Sequence, residues 1–377
     1  MAPFTVAGCF AYAISSTICR VLMNASSLRG KVVDAFMVLP HSGSRFLPGA
    51  PDEELVSIVV PVYNVETRVY DCLDSIVNQT YRSIQVIIVD DGSTDGSTSV
   101  CEDFAAKDDR VLFIRQNNQG VAFARNTGLD YARGLFITFI DGDDWVEPTF
   151  VESLLNAALL NGADIAICGY VMVAENGQVL KRAHFQEMLN DEQYYWSTAF
   201  SGYGDNLYVW NKLYRGEIIG NSRFTSDIYA EDYAFNLAVF PEAKSVCYIG
   251  QELYWYHRRD SSLASQPTSM KNLDAVELNI QAMGYFEAAG YLDCIPGAFH
   301  RAVALCAQWY PQSGSRAEMK RYRDCRNGIR VTFKKHRALL SRAIRARYCA
   351  LVVLGKRGYR FVSRVVELLR GRRRQFA

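Results

Sequence analysis

Three acidic residues and a glycine follow directly after a short apolar stretch near the middle of the chain. The stretch covers residues 136–140, and Asp141, Gly142, Asp143 and Asp144 come next. An apolar run too short for a helix is typical of a buried parallel strand, and open α/β sheets bind ligands outside the carboxyl ends of such strands. Clustered carboxylates repel one another, and Mg²⁺ or Mn²⁺ offsets this repulsion and typically brings substrate phosphates with it. The run therefore indicates metal-assisted chemistry on a phosphorylated or nucleotide substrate.

A second acidic turn follows another apolar stretch, at residues 84–89. It begins with Asp90 and Asp91. If the two acidic turns end neighbouring strands, their side chains share one rim of the sheet. Carboxylates accept hydrogen bonds from the N–H and O–H groups of a base or ribose, which predicts a binding role for Asp90. Asp95 and Ser97, a few residues later, fit the cap of the next helix instead.

Two further groups could take part in the same chemistry. Glu231 and Asp232 open a predicted helix, where the helix dipole stabilises a carboxylate as the anion and keeps it available as a base. A purely structural helix cap is the alternative. His257, Arg258 and Arg259 follow three aromatic residues and suit a metal ligand or a diphosphate clamp, although an exposed polar loop has the same composition.

The surrounding sequence predicts the elements that must position these residues. Strands predicted at 56–62, 84–89, 111–114, 135–140 and 164–170 alternate with helices predicted at 65–79, 97–108, 121–132 and 150–160. This alternation predicts an α/β fold with a parallel sheet covered by helices on both faces. No GxGxxG follows the first strand and no GxxxxGK[ST] occurs, so a dinucleotide-binding fold and a P-loop are not indicated.

The distribution of periodic and irregular segments also predicts the domain organisation of the chain. Residues 1–54 lack periodicity and are interpreted as a weakly ordered extension and linker. Residues 55–265 form the predicted catalytic domain, with a nucleotide-binding half at 55–145 and an acceptor half at 146–265. Residues 266–377 form a helical C-terminal region. The apolar segment at 1–23 is interrupted by Arg20 and by hydroxyl residues, and no other segment approaches a membrane-spanning length.

Composition limits the class of protein. Of 377 residues, 49% are hydrophobic and 21% charged, as in ordinary globular proteins. Ten cysteines form no CxxC pair, which argues against a zinc site or a disulfide framework and predicts reduced thiols and a cytoplasmic active site. The net charge of +1 hides a basic tail, because residues 316–377 carry 20 Lys/Arg against 3 Asp/Glu.

The basic tail includes a predicted amphipathic helical stretch at residues 338–369. A basic amphipathic helix suits an anionic membrane surface, which predicts a peripheral position on the inner face of the cell membrane. A solvated appendage and an oligomer contact are the alternatives. We expect no nucleic-acid binding, since no recognised motif accompanies the charge.

Seven sequence blocks, taken together and in order, resemble glycosyltransferase family 2 of the GT-A fold, in the bacterial branch that builds surface polysaccharides. The blocks are SIVVPVYN (57–64), IIVDDGSTD (87–95), GVAFARNTG (120–128), FIDGDDW (139–145), VWNKLY (209–214), EDYAF (231–235) and YWYHRRDSS (254–262). The resemblance implies a mostly parallel central sheet between helices. It also implies inverting, metal-dependent transfer of a hexosyl or N-acetylhexosaminyl group from a nucleotide-sugar, with uridine the favoured base. The acceptor would be a glycan or a lipid-linked molecule.

The resemblance also implies roles for individual residues. Asp232, with Glu231 beside it, corresponds to the catalytic base, and Asp141, Asp143 and His257 correspond to ligands of Mg²⁺ or Mn²⁺. The implied donor-binding residues are Pro61, Tyr63, Glu66, Asp90, Asp91, Arg125, Asp141, His257, Arg258 and Arg259. Trp145 and Trp210 are expected to contact the acceptor, with packing as the alternative for aromatic residues of this region.

Other functions remain open at this point. No QxxRW motif is present, which favours addition of one sugar over processive synthesis. A sugar-1-phosphate nucleotidyltransferase would carry a Gly- and Arg-rich signature after the first strand, and residues 61–66 lack it. An inactive relative that binds nucleotide-sugar or membrane as a scaffold would be expected to have lost the metal acids or the base. This chain keeps both.

Overall fold

The computed structural model describes residues 37–38, 54–190, 192–201, 206–226, 228, 230–258, 272–308 and 315–374. Most of the predicted extension, at residues 1–36 and 39–53, lies outside the described residues, and so does the predicted site residue Arg259. The described residues all belong to one compact unit.

A single mixed β-sheet forms the centre of the fold. In the described residues its strands are β1 (Met37–Val38), β2 (Val56–Val62), β3 (Ile84–Asp90), β4 (Val111–Arg115), β5 (Phe136–Phe139), β6 (Trp145–Val146), β7 (Ile165–Ala174), β8 (Val179–Ala183), β9 (Met188–Asn190), β10 (Lys212–Arg215) and β11 (Val246–Arg258). Their order is β1-β4-β3-β2-β5-β10-β7-β11-β6, with β8 paired to β7 and β9 to β11. Pairing is parallel from β4 through β3 and β2 to β5 and again between β7 and β11, whereas β10 is antiparallel to both its neighbours.

The apolar runs of the sequence account for the parallel strands. Every residue of β2 and of β3 is buried, as expected for strands that helices cover on both faces. The strands predicted at 56–62, 84–89, 111–114 and 135–140 are confirmed within one or two residues at each end. The mostly parallel sheet is not wholly parallel. The VWNKLY block supplies the antiparallel strand β10 between β5 and β7, and the short strands β1, β6, β8 and β9 also pair antiparallel.

The strand order corrects one expectation about the two acidic turns. Strand β3, which ends at Asp90, and strand β5, which precedes Asp141, are not neighbours, because β2 lies between them and pairs with both. The chain leaves β2 towards β3 and β4 and later returns to place β5 on the other side. Such a reversal is a topological switch point, where α/β sheets bind ligands. Pro61 and the loop after β2 therefore lie between the two acidic turns.

Helices cover both faces of the sheet. In the described residues they are α1 (Glu66–Val77), α2 (Ser97–Lys107), α3 (Val121–Tyr131), α4 (Phe150–Asn161), α5 (Glu192–Ser201), α6 (Gly216–Ile219), α7 (Glu231–Val239), α8 (Asn272–Ala289), α9 (Ile295–Gln308), α10 (Arg316–His336) and α11 (Arg342–Arg374). The apolar residues of α1, α2 and α4 join one core, and those of α3, α5 and α7–α11 join the core on the opposite face.

The C-terminal helices share their core with the sheet. Trp196 and Phe200 of α5 contact Phe286 of α8, and Tyr348 of α11 stacks on Phe333 of α10 at a centroid distance of 4.2 Å. The predicted helical region is therefore continuous with the α/β core and does not form a core of its own. No helix among the described residues is both long and apolar enough to span a membrane.

Candidate active site

The loop after β2 is hydrogen-bonded to the acidic turn after β3. The Asn64 amide donates to the Ser93 hydroxyl at 3.1 Å, and the Asn64 side-chain oxygen accepts from the Thr94 amide at 2.8 Å. The Glu66 carboxylate accepts from the Gly96 amide at 3.0 Å. These bonds fix the two loops of the predicted base-binding site against each other.

The C-terminal end of strand β2 closely approaches the acidic turn after β5. The Gly142 amide donates to the Pro61 carbonyl at 3.2 Å. A Cβ at position 142 would lie 2.9 Å from that oxygen, so this close approach requires glycine. Tyr63, two residues after Pro61, is 47% exposed and lies in the short loop between β2 and α1.

Asp90 and Asp91 are both buried and both hold loops in place. Asp90 accepts from the Ser93 amide at 2.9 Å and from the Thr98 hydroxyl at 2.6 Å. Asp91 accepts from the Gln116 side chain and from the amides of residues 119 and 120, at 2.7 to 2.9 Å. The structure therefore gives these two acids a structural role in shaping the rim, and their predicted contact with the donor stays a prediction.

Asp144 connects the acidic turn to strand β11. Its two carboxylate oxygens accept from the Tyr254 hydroxyl at 2.6 Å and from the His257 amide at 2.7 Å. Burial raises the pKa of Asp144 well above its ordinary value, and the negative charges of Asp143 and Asp141 raise it further. The turn after β5 thus concentrates acidic groups whose charges oppose one another.

His257 is buried at the end of β11 and both of its ring nitrogens have partners. Nε2 lies 2.7 Å from Nη1 of Arg68, and Nδ1 lies 3.0 Å from the backbone oxygen of Asp143. A guanidinium only donates and a carbonyl only accepts, so Nδ1 carries the proton and Nε2 is the acceptor. Burial, followed by the charge of Arg68, lowers the pKa of His257 to about 4, which makes the ring neutral at pH 7.

This tautomer bears on the predicted metal role of His257. In a neutral imidazole the unprotonated nitrogen is the one that binds a metal. Here that nitrogen is Nε2, and Arg68 already donates to it. In this structure Nε2 faces a guanidinium, and the role of His257 as a metal ligand stays a prediction.

The two other predicted metal ligands, Asp141 and Asp143, could bind a metal ion only together with the phosphates of the predicted nucleotide-sugar donor. No group of three or more His, Cys, Asp or Glu side chains that could hold a metal ion occurs in the described part of the chain. Asp141 accepts from Arg125 at 2.8 Å. Mg²⁺ usually binds one or two carboxylates and completes its shell with phosphates and water. Asp143 and Asp141 fit that requirement, since a cation would relieve the repulsion that raises the pKa of Asp144.

Arg125 lies beneath the site and brings distant acids together. Its guanidinium, on helix α3 and 3% exposed, contacts Asp141 at 2.8 Å, Glu231 at 3.2 Å and Asp232 at 2.6 Å. It also lies over the ring of Phe224, with 5.2 Å to the centroid. One buried cation thus links the turn after β5 with the N-terminus of α7. Its predicted contact with the donor stays a prediction.

Asp232 has the environment of a base that works near neutral pH. Its other carboxylate oxygen accepts from the Val209 amide at 3.3 Å. Burial raises the pKa of Asp232 to about 7, the charge of Arg125 opposes this rise, and the charges of Glu231 and Asp141 add to it. A general base is most effective when its pKa lies near the working pH.

Lys212 was missed as a site residue by the sequence reasoning. Its ammonium is fully buried and donates to Asn206, Tyr208 and Asn211 at 2.6 to 3.2 Å. Burial lowers its pKa to about 7. The backbone it holds, residues 206–211, includes Val209, which donates to Asp232. A lysine inside the otherwise uncharged VWNKLY block was the available signal.

The two tryptophans predicted to contact an acceptor lie in different environments. Trp210 is 2% exposed, and Tyr254 and Tyr208 stack on its ring at 4.3 and 4.8 Å. The ring of Trp210 is part of the core in this structure, and its acceptor contact stays a prediction. Trp145 is partly exposed, stacks on Trp255 at 5.2 Å and lies near His257. Its acceptor role stays a prediction, as does the donor role of Arg258, which is exposed at the end of β11.

The fold and this rim define a class of protein. The chain matches the crystal structure of S. aureus TarS 1–349 in complex with UDP-GlcNAc with a TM-score of 0.67 and 18% identity. The match covers 83% of this chain and 92% of that chain. The protein therefore has the GT-A glycosyltransferase fold.

Sequence comparisons define the family within that class. The model of Glycosyl transferase family 2 matches residues 57–217. GlyG, a glycosyltransferase of Streptococcus pneumoniae, is 32% identical over 222 residues, which is 56% of this chain and 73% of GlyG. EpsJ, an uncharacterized glycosyltransferase of Bacillus subtilis, is 37% identical over 230 residues, which is 56% of this chain and 64% of EpsJ. The chain belongs to glycosyltransferase family 2, and it spans less than two thirds of EpsJ and of two further relatives.

Proposed function

We propose that this protein is an inverting, non-processive glycosyltransferase that moves a sugar from a uridine diphosphate sugar to a hydroxyl group of a glycan or lipid-linked acceptor. The observation that carries the proposal is the contact of Arg125 with both Asp141 and Asp232. The acid at the switch point of the sheet and the candidate base thus both contact this single guanidinium. TarS, which has the same fold, was solved with UDP-GlcNAc and with UDP, which supports a uridine diphosphate sugar as donor.

The donor would lie across the carboxyl end of β2. The exposed ring of Tyr63 offers a stacking surface for the base, and Glu66 begins the helix α1 three residues later. The sugar and diphosphate would then extend over Asp141 and Asp143 towards His257. Mg²⁺ or Mn²⁺, bound by Asp143 or Asp141 and the phosphates, would neutralise charge on the leaving diphosphate.

The acceptor hydroxyl would be deprotonated by Asp232. Attack on the anomeric carbon forms the new glycosidic bond, breaks the bond to the diphosphate oxygen and inverts the configuration. Asp232 takes the proton of the attacking hydroxyl, and the electron pair of the broken bond leaves with the nucleoside diphosphate. Arg125 keeps Asp232 and Glu231 in place and offsets their negative charge during this step.

The basic helix α11 supports a position at an anionic membrane surface, where a lipid-linked acceptor would be found. Val353 and Phe361 are 76% and 67% exposed, and the arginines 357, 360 and 364 are exposed on the same stretch of helix. Exposed apolar side chains next to cationic ones are typical of helices that lie in the membrane interface. We propose that this surface holds the protein on the cytoplasmic face of the membrane.

The substitution Asp232→Asn tests the catalytic proposal. It keeps the size of the side chain and removes the base, so we expect UDP binding within about twofold of the native protein and transfer reduced by 100-fold or more, as general-base catalysis typically contributes. Calorimetry measures binding, and release of UDP in the presence of the acceptor measures transfer. Unchanged transfer would exclude Asp232 as the base. A native protein that binds UDP-sugar and transfers nothing to any glycan or lipid acceptor would support the scaffold alternative.

A further inference from the structure

Arg68 is a cation at the rim of the donor site that the sequence analysis did not select. It lies in the first turn of α1, two residues after Glu66, and is partly exposed. Its Nη1 donates to Nε2 of His257 at 2.7 Å, and its Nη2 donates to the carbonyl of Glu175 at 3.4 Å. Arg68 therefore connects the helix that follows the base-binding loop with the end of β11.

The hydrogen bonds around Arg68 place its charge next to the acidic turn. The chain of contacts runs from Arg68 to His257 and from His257 to the backbone of Asp143. Because Nδ1 of His257 carries the proton, Nε2 is the nitrogen that could bind a metal, and Arg68 uses it. A guanidinium is permanently charged, so a change of pH does not remove its positive charge. The protein therefore supplies a permanent positive charge on the side of the His257 ring opposite to Asp143.

We propose that Arg68 binds the donor diphosphate, at the position where a His257-bound metal ion would otherwise supply the positive charge. This inference rests on the proposed function, because it assumes a nucleoside diphosphate donor at this rim. The geometry of the group suits the task. A guanidinium offers a planar fork of N–H donors that matches two phosphate oxygens. Within the described part of the chain, Arg68 makes one hydrogen bond through Nη1 and one through Nη2.

A diphosphate contact of Arg68 would change how UDP binding depends on a divalent cation. If His257 is not a metal ligand, a divalent cation is held only by carboxylate, phosphate and water oxygens, and its contribution adds to that of Arg68. Part of the affinity for UDP should then persist without any divalent cation. Removing the Arg68 charge should make binding depend on the metal more strongly, since Nε2 of His257 becomes available to it.

Calorimetric titration of the full chain with UDP tests this, in EDTA and again in Mn²⁺. The variants are Arg68→Gln, Arg68→Lys and the control Arg223→Gln, whose guanidinium pairs with Asp130 away from the rim. We expect the native protein to bind UDP in EDTA, and Arg68→Gln to lose roughly 10- to 100-fold of that affinity, as for a lost charge-assisted hydrogen bond. Mn²⁺ should restore more affinity to Arg68→Gln than it adds to the native protein. Arg68→Lys should fall between the two, and Arg223→Gln should match the native protein.

The outcomes separate this inference from the proposed function. Equal UDP affinity of the native protein and Arg68→Gln in EDTA, or no binding by the native protein without Mn²⁺, would overturn the role of Arg68 and leave the donor site in place. Absence of UDP binding by the native protein in both conditions would instead contradict the proposed function. Far-UV circular dichroism and thermal unfolding of each variant show whether a loss of affinity reflects loss of the fold.

Discussion

Replacing Arg125 by methionine should move the pH at which the enzyme gains activity. Arg125 is nearly inaccessible to solvent, and its 2.6 Å contact with Asp232 stabilises the ionised carboxylate. Burial raises the pKa of Asp232 to about 7 even with this cation present. In Arg125→Met the negative charges of Glu231 and Asp141 remain near Asp232, and the neutral methionine does not offset them. The pKa of Asp232 must then rise further.

The size of the shift follows from the lost contact. A hydrogen bond to a charged group contributes about 1.5–3 kcal/mol, and a shift of one pKa unit corresponds to about 1.4 kcal/mol. Losing the contact therefore raises the pKa of Asp232 by about 1–2 units. Since the base acts only when ionised, kcat at pH 7 should fall by roughly 5- to 50-fold from this cause alone and should recover as the pH approaches 9.

The assay is the pH dependence of kcat between pH 5.5 and 10, measured as UDP release with saturating donor and acceptor. Saturation removes any effect of the substitution on donor affinity. Breaking a buried ion pair also destabilises a protein by about 3–5 kcal/mol, so urea unfolding must show that Arg125→Met is folded at the assay temperature. Arg125→Lys, which keeps a charge, should give a smaller shift, and Arg223→Met should give none. An acidic limb at the same pH in native protein and Arg125→Met would refute this account of Arg125.

Two further predictions concern parts of the molecule away from the reacting atoms. Lys212→Met should lower kcat with little change in the KM for the donor, because the backbone at residues 206–211 loses the ammonium that fixes Val209 against Asp232. Chemical denaturation should show a loss of about 1–3 kcal/mol for the buried side-chain oxygen of Asn211, which loses the Lys212 donor. A changed donor KM with native kcat would contradict this role. Replacing the exposed arginines 357, 360 and 364 by glutamine should weaken binding to anionic vesicles by roughly 100-fold, at about 1 kcal/mol for each charge, in a sedimentation assay with zwitterionic vesicles as the control. Binding that equals that of the native protein would mean that α11 has another purpose.

The fold was largely predictable because its signals are local. Strand β2 was predicted at its observed bounds, since seven consecutive buried residues leave little doubt about a parallel strand. The position of β2 between the two acidic turns was not predictable in the same way. Pairing of β2 with β3 on one side and β5 on the other is a long-range choice that no stretch of sequence contains.

In the candidate site, too, the sequence predicted some residues and only the tertiary structure revealed others. The acids of the turn after β5, and Glu231 with Asp232, were selected from their places at predicted strand and helix ends. Whether a selected side chain reaches the rim depends on packing, which is why Trp210 lies in an aromatic stack and Asp91 holds a loop. Arg68 was missed because a single arginine in a helix gives no pattern, and Lys212 was missed although it is the one charged residue of the VWNKLY block.

The sequence by itself determined the class of fold, the acidic character of the rim and the presence of a carboxylate that could serve as a base. Only the tertiary structure decided which charges meet. Arg125 contacts acids that lie 16 and 107 residues away along the chain, and Arg68 contacts His257 across 189 residues. The electrostatic environment of a buried carboxylate depends on such contacts, because charges act through space and are poorly screened inside a protein. The protonation of Asp232 and the neutral state of His257 are therefore properties of the folded chain.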